Sequence, residues 1–276
     1  LLYRRSTATS LQLLTPNSLQ MNSIILLFTA SLIAGIVNGV AGGGGLIAFP
    51  ALLIAGIPGI NANATNATAL WFGTVASTIA YRRQFSSQRR DLLLLSFVSV
   101  IGGIFGSYLL LHTSQTKFYA LIPYLMLIAT LLFIFNQPLI IFWEKLSKNS
   151  EIIRLPLIII LPLQLAVATY GGYFGGGSGI LMLAVLNLMG MRNIHTLNAY
   201  KSWLATCINV AAIIHFTFAN KIFWSQAITM ASGAILGAYS SASLAPKLHP
   251  LWIRIFIVST SLTLTCYFFI RHQLQL

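Results

Sequence analysis

Two runs of glycine and one lysine carry the chemistry this sequence offers. Ala41-Gly42-Gly43-Gly44-Gly45-Leu46 and Gly175-Gly176-Gly177-Ser178-Gly179-Ile180 each open a short apolar segment. The first N–H groups of a helix have no partner within it and stand at the positive end of its dipole, so they attract an anion. Glycine lets a ligand come close to that backbone and takes positive φ without penalty. Polar residues gather near the runs: Asn38 before the first, Asn66 after it, Asn198 and Lys201 after the second. Lys201 is the one cation read as lying within a membrane segment, since Arg154 and Arg254 at segment starts go with the cytoplasmic loops. An unpaired ammonium there is costly and marks function, unless its head snorkels to the interface. The candidate binding set is therefore Asn38, Gly42, Gly43, Gly44, Gly45, Asn66, Gly175, Gly176, Gly177, Ser178, Gly179, Asn198 and Lys201, with a small anion as ligand. The plain alternative is that the glycines serve close helix packing and the asparagines cap helices.

A second chemistry is open at Ser178. Gly176-Gly177-Ser178-Gly179 fits the Gly-x-Ser-Gly signature of rhomboid intramembrane serine proteases, and His195 or His215 could act as base. The duplicated run speaks against it, because Gly44 stands where Ser178 does and the repeated feature is glycine backbone. The three acids, Asp91, Glu144 and Glu151, all fall at segment ends or in the central loop, so a carboxylate relay has no obvious residue. His195 and His215 could carry protons. Cys207 and Cys266 each lie in an apolar run and form neither a disulfide framework nor a metal site. No cofactor is expected.

These groups need a scaffold, and the composition says which. Of 276 residues 57% are hydrophobic and only 7% charged, against about 25% charged in soluble domains. Mean hydropathy is +0.83. A soluble enzyme, a disordered chain and a disulfide-stapled secreted module are excluded. Sixteen Lys and Arg against three Asp and Glu give +13. The basic residues sit in short gaps between apolar runs, as cytoplasmic loops require, so the charge points to topology and not to nucleic acid.

Ten apolar stretches follow one another: Ile24–Gly42, Leu46–Ile57, Ala64–Tyr81, Leu92–Leu111 and Phe118–Phe135, then Ile152–Gly172, Gly179–Gly190, Thr196–Phe216, Gln226–Leu244 and Trp252–Ile270. Eight are long enough to cross most of a bilayer core of about 30 Å. The second and seventh reach only about 18 Å as helix and are half-crossings or broken helices. The halves repeat: Gly43 to Gly177, Gly45 to Gly179 and Gly56 to Gly190 are each 134 residues apart, and Asn63-Ala64 to Asn198-Ala199 is 135. With the Tyr81–Asp91 loop inside, basic residues concentrate on the cytoplasmic side, and five segments per half make the halves inverted. The expected fold is all-α and polytopic, with two inverted repeats, residues 21–136 and 152–276, joined by a cytoplasmic linker, 137–151. The two glycine-started helices meet near the midplane, since unwound backbone survives in a membrane only inside protein or along a wet cavity. Residues 1–20 read as a leader or non-native extension before Met21.

At these residues the chain resembles the sulfite exporter TauE/SafE family, also called the TSUP anion permeases. The matching features are Gly35-Ile36-Val37-Asn38-Gly39-Val40-Ala41-Gly42-Gly43-Gly44-Gly45, then Phe49-Pro50-Ala51-Leu52-Leu53 and Asn63-Ala64-Thr65-Asn66-Ala67, with a looser echo from Gly171 to Gly179. The second half departs from the pattern, with Ala184 in place of a proline matching Pro50 and Tyr200-Lys201 in place of Thr-Asn. The resemblance implies a plasma-membrane, multi-pass secondary transporter of sulfite, organosulfonates or other sulfur-containing or organic anions, with the lipid bilayer as its surroundings. An anion channel is the other reading of the same features.

Overall fold

The computed structural model describes residues 16–40, 42–85, 89–148, 155–244 and 250–274. Among these it has ten α-helices and no strand. They are α1 (Pro16–Val40), α2 (Gly45–Ile54), α3 (Gly59–Ala80), α4 (Arg89–Leu111), α5 (Gln115–Lys148), α6 (Leu157–Tyr173), α7 (Ser178–Leu188), α8 (Ile194–Phe218), α9 (Trp224–Leu244) and α10 (Pro250–Leu274), with one 3₁₀ turn at Arg82–Gln84. Each expected apolar stretch coincides with one helix. Among the described residues three helices are long and apolar enough to cross a membrane, at Met21–Gly39, Arg90–Leu111 and Gln115–Leu132.

The boundaries differ from the sequence reading in two places. Helix α1 begins at Pro16, a favoured first helical residue because its missing N–H would be unpaired there anyway. Residues 16–20 are thus helical and continuous with the first span, while 1–15 lie outside the described residues. The expected linker 137–151 is largely a continuation of α5, which runs to Lys148; residues 149–154 lie outside the described ones.

The short helices end alike. Gly56 and Gly190 both have φ of +84, and Ile57 N–H bonds Leu52 O as Met191 N–H bonds Leu186 O. This is the left-handed glycine stop that satisfies the last carbonyls of a helix. All three pairs, Gly56 with Gly190, Ile57 with Met191 and Leu52 with Leu186, keep the spacing of 134. At the other end of these helices the spacing is 133: Gly42 and Gly175 are the left-handed residues that break α1 and α6, and Gly44 and Gly177 are the N-caps of α2 and α7. The sequence pairing of Gly43 with Gly177 is therefore one residue out at the turns. The physical cause is that α7 has 11 residues and α2 has 10.

The principal helix contacts come in counterparts from the two halves. Helix α1 packs on α9 as α4 packs on α6, α3 on α9 as α8 on α4, and α1 on α2 as α6 on α7. Small residues make the two closest seams. A Cβ added at Gly35 would stand 2.5 Å from Ala234 O, and one at Gly237 would stand 2.1 Å from Leu32 O. A Cβ at Gly106 would stand 2.1 Å from Thr169 O, and one at Gly172 would stand 2.6 Å from Gly103 O. Backbone approach of this kind is how helices gain packing energy where lipid removes the hydrophobic drive.

Candidate functional site

The two glycine turns meet tip to tip. A Cβ on Gly179 would lie 2.8 Å from Gly42 Cα, and one on Gly45 would lie 3.3 Å from Gly176 Cα. Each tip ends one long helix and starts a short one. Leu155 N–H bonds Leu188 O at 3.1 Å, so α6 and α7 return to a common foot and form a hairpin. The start of α3 is tied elsewhere, with Gly59 N–H donating to Tyr119 Oη at 3.1 Å and Asn61 Nδ2 donating to Lys221 O at 3.0 Å. Thus two helix N-termini, of α2 and α7, converge where the tips touch.

Beside the tips lies a small cavity of about 40 Å³, room for roughly three waters at 10–15 Å³ each. Of the sequence-predicted set, Asn38, Gly45, Asn66, Gly175, Ser178, Gly179 and Lys201 line it. The others serve it from behind. Gly42 packs on Gly179, and Gly176 faces the Phe174 ring. Gly44 faces Ala34 O, where a Cβ would stand at 2.2 Å, and Gly177 has φ of +79 with Ala129 against it. For Gly44 and Gly177 the geometry is that of close packing and turn formation. Gly43 supplies the carbonyl that receives Leu46 N–H.

Lys201 is buried, 3% exposed, and does not snorkel. Its ammonium donates to Asn38 O and to Asn198 Oδ1, both at 2.9 Å, with Gly39 O at 3.5 Å. Asn38 and Gly39 are the last turn of α1, whose carbonyls form the negative end of that helix dipole. No lining residue is acidic. An ammonium has three donors, and only two are engaged at short distance here. Gly179 N–H makes no backbone hydrogen bond among the described residues. The cavity therefore presents a cation, a free backbone donor and two helix N-termini.

Asn66 is 3% exposed, and its Oδ1 has no hydrogen-bond partner among the described residues. Four further polar residues line the cavity outside the predicted set: Thr74, Ser77, Ser202 and Asn209. The repeat signal could have found three of them. Continuing the spacing of 135 from Asn66 and Lys201 pairs Ala67 with Ser202, Leu70 with Ala205 and Thr74 with Asn209, all lining residues. Phe174, stacked edge-on to Phe49 at 5.3 Å, forms the apolar wall, and no spacing marked it.

The protease geometry is absent. Ser178 Oγ donates to Gly175 O at 2.9 Å. His215 Nδ1 is paired with Ser107 Oγ at 2.9 Å, and His195 is exposed beside Tyr81. Neither imidazole reaches the serine, so no base activates it. Ser178→Ala is accordingly expected to retain most activity, losing one hydroxyl contact of about 1 kcal/mol; initial uptake rate per folded molecule checks this.

Comparison with known proteins gives the family. The family model described as sulfite exporter TauE/SafE matches residues 27–268. The chain belongs to that family. It is 31% identical over 252 residues to the probable membrane transporter protein ORF9 of Sinorhizobium sp, covering 89% of this chain and 93% of that one. It is 28% identical over 244 residues to a probable membrane transporter protein of Haemophilus influenzae, covering 88% and 92%. It is 29% identical over 251 residues to the probable membrane transporter protein YfcA of Escherichia coli K12, covering 90% and 91%. No solved structure matches it. The family and these relatives are named as transporters and not as enzymes, which closes the protease reading.

Proposed function

We propose that this protein is a plasma-membrane secondary transporter of small oxyanions, with sulfite, which the family description names, or organosulfonates as substrate. One observation carries the reading: a buried lysine without a carboxylate partner among the described residues, on a cavity where two helix N-termini converge. A buried charge left without a counter-ion is expensive, and a bound anion supplies one. A cavity this small, walled by buried side chains, favours a carrier over an open channel. The paired seams, the paired glycine stops and the tip-to-tip hairpins support two inverted repeats, spanning residues 21–136 and 152–276, with the substrate held between them.

Uptake of labelled sulfite into proteoliposomes tests the reading. Saturable, temperature-dependent uptake is expected, and flux that rises linearly with sulfite and never saturates would replace the carrier with a channel. Orientation is checked separately. Gln84, exposed in the turn after α3, belongs to the loop rich in arginine and is expected in the cytoplasm. In a background with Cys207 and Cys266 replaced, Gln84→Cys should react with an impermeant maleimide only after cells are opened. Labelling in intact cells would invert the topology.

A further inference from the structure

We propose that the counterpart of the Lys201 ammonium in the other half of the molecule is a bound monovalent alkali cation, sodium, held by backbone and amide oxygens at the C-terminal end of α6. The inference goes beyond the anion reading and does not require it.

In one half the ammonium caps the end of α1. It receives Asn38 O and Gly39 O, carbonyls left over where left-handed Gly42 turns the chain, together with Asn198 Oδ1 from α8. The turns correspond at a spacing of 133, Gly42 to Gly175, so the matching carbonyls are Gly171 O and Gly172 O. Phe174 N–H and Gly175 N–H both go to Tyr170 O, and neither Gly171 O nor Gly172 O accepts a backbone hydrogen bond among the described residues. The matching residues on α3, at a spacing of 135, are Asn63 for Asn198 and Asn66 for Lys201. Asn63 sits at this helix end, its Nδ2 donating to Tyr173 O at 2.9 Å. That bond fixes which amide atom is oxygen. Its Oδ1 is buried and unpartnered, as is Asn66 Oδ1 one turn along the same helix, and the two residues are 2% and 3% exposed.

By the correspondence of the halves, two orphaned amide oxygens and two uncapped helix-end carbonyls take the places that the ammonium and its acceptors hold in the other half. Buried acceptors without donors are costly, and each asks for a partner. The donor set decides which. Neutral amide and carbonyl oxygens hold no proton near neutral pH, so a proton is a poor occupant. Without a carboxylate they lack the charge a calcium or magnesium ion demands. Unwound carbonyls and helix C-termini are the ligands that hold sodium in transporters built from repeats. Asn66 also lines the anion cavity, so the cation and the substrate anion would stand close to one another, each lowering the cost of burying the other.

The test measures sodium alone and sodium with anion, on purified protein in nanodiscs. Binding of ²²Na⁺ in gluconate buffer, without sulfite, should be saturable and displaced by unlabelled sodium but not by choline. Sulfite affinity should rise about 10-fold from choline gluconate to sodium gluconate, and sulfite should raise sodium affinity by the same factor, since coupling is reciprocal. Asn63→Ala should lose ²²Na⁺ binding and the sodium dependence together. Asn66→Lys, which tethers an ammonium where the other half has one, should lose ²²Na⁺ binding and make sulfite affinity insensitive to sodium. Absence of ²²Na⁺ binding in monodisperse wild-type protein that still binds sulfite would overturn this inference and leave the anion reading standing. Sodium binding without any sulfite binding would do the reverse. A wild-type sodium response in both variants would also overturn it.

Discussion

Lys201→Met is expected to abolish anion binding while leaving a folded protein. Methionine keeps the length of the side chain and removes its charge. Truncating one member of a buried, hydrogen-bonded charge pair costs about 2–5 kcal/mol, roughly 30-fold to 4,000-fold in Kd. The lysine holds two short bonds at 2.9 Å, and its third ammonium proton makes only a long contact of 3.5 Å with Gly39 O, so that proton can turn to the ligand. Its removal also deprives Asn38 O and Asn198 Oδ1 of a donor, at about 1–3 kcal/mol of stability. Gel filtration and thermal melting show whether the fold survives that, and titration calorimetry with sulfite then reads binding per folded molecule. Lys201→Arg keeps the charge but replaces a point donor by a planar fork, so partial binding is expected. Unchanged affinity in a monodisperse Lys201→Met protein would mean that the ammonium only caps α1, and the anion site would lose its principal residue.

Much of this was legible in the residues because the code for it is local. A run of glycines before a short apolar stretch announces a broken helix, and a spacing that repeats announces a duplication. Length and hydropathy locate all ten helices. What the sequence could not carry was direction. Gly44 and Gly45 are neighbours of one type, yet one faces Ala34 and the other lines the cavity, because successive residues entering a helix point about 100° apart. Register failed for a similar reason: matching glycine to glycine favours a spacing of 134, while the turn geometry needs 133 at the tips. Lys201 shows the same limit. Its place early in a helix suits a snorkelling side chain as well as a buried one, and only the nearby end of α1 decides between them. Phe174 reaches the cavity through tertiary packing alone.

The glycine tips give the second large effect, and here structure and repeat disagree. At the spacing of 134 read from sequence, Gly45 and Gly179 are equivalent, so alanine should cost the same at either. Their surroundings are unequal. An alanine at Gly179 would place Cβ 2.8 Å from Gly42 Cα and 2.9 Å from Gly42 O, against backbone that cannot rotate away. At Gly45 the nearest atoms are Gly176 Cα at 3.3 Å and Asn66 Nδ2 at 3.6 Å, so a shift of a few tenths of an ångström suffices. Overpacking of the first kind costs about 1–3 kcal/mol or more and drives the hairpins apart at the point where their N-termini face the cavity. Gly179→Ala should therefore lower sulfite affinity at least about 10-fold, and Gly45→Ala by less than about 3-fold. Gly56→Ala is the control for strain alone. It has φ of +84 and nothing within 4 Å, so it should lose about 1–2 kcal/mol of stability with affinity unchanged. Melting temperature and calorimetric Kd for the three variants separate the two effects. Equal losses of affinity at Gly45 and Gly179 would show that the tips do not meet as described, and the site between them would have to be redrawn.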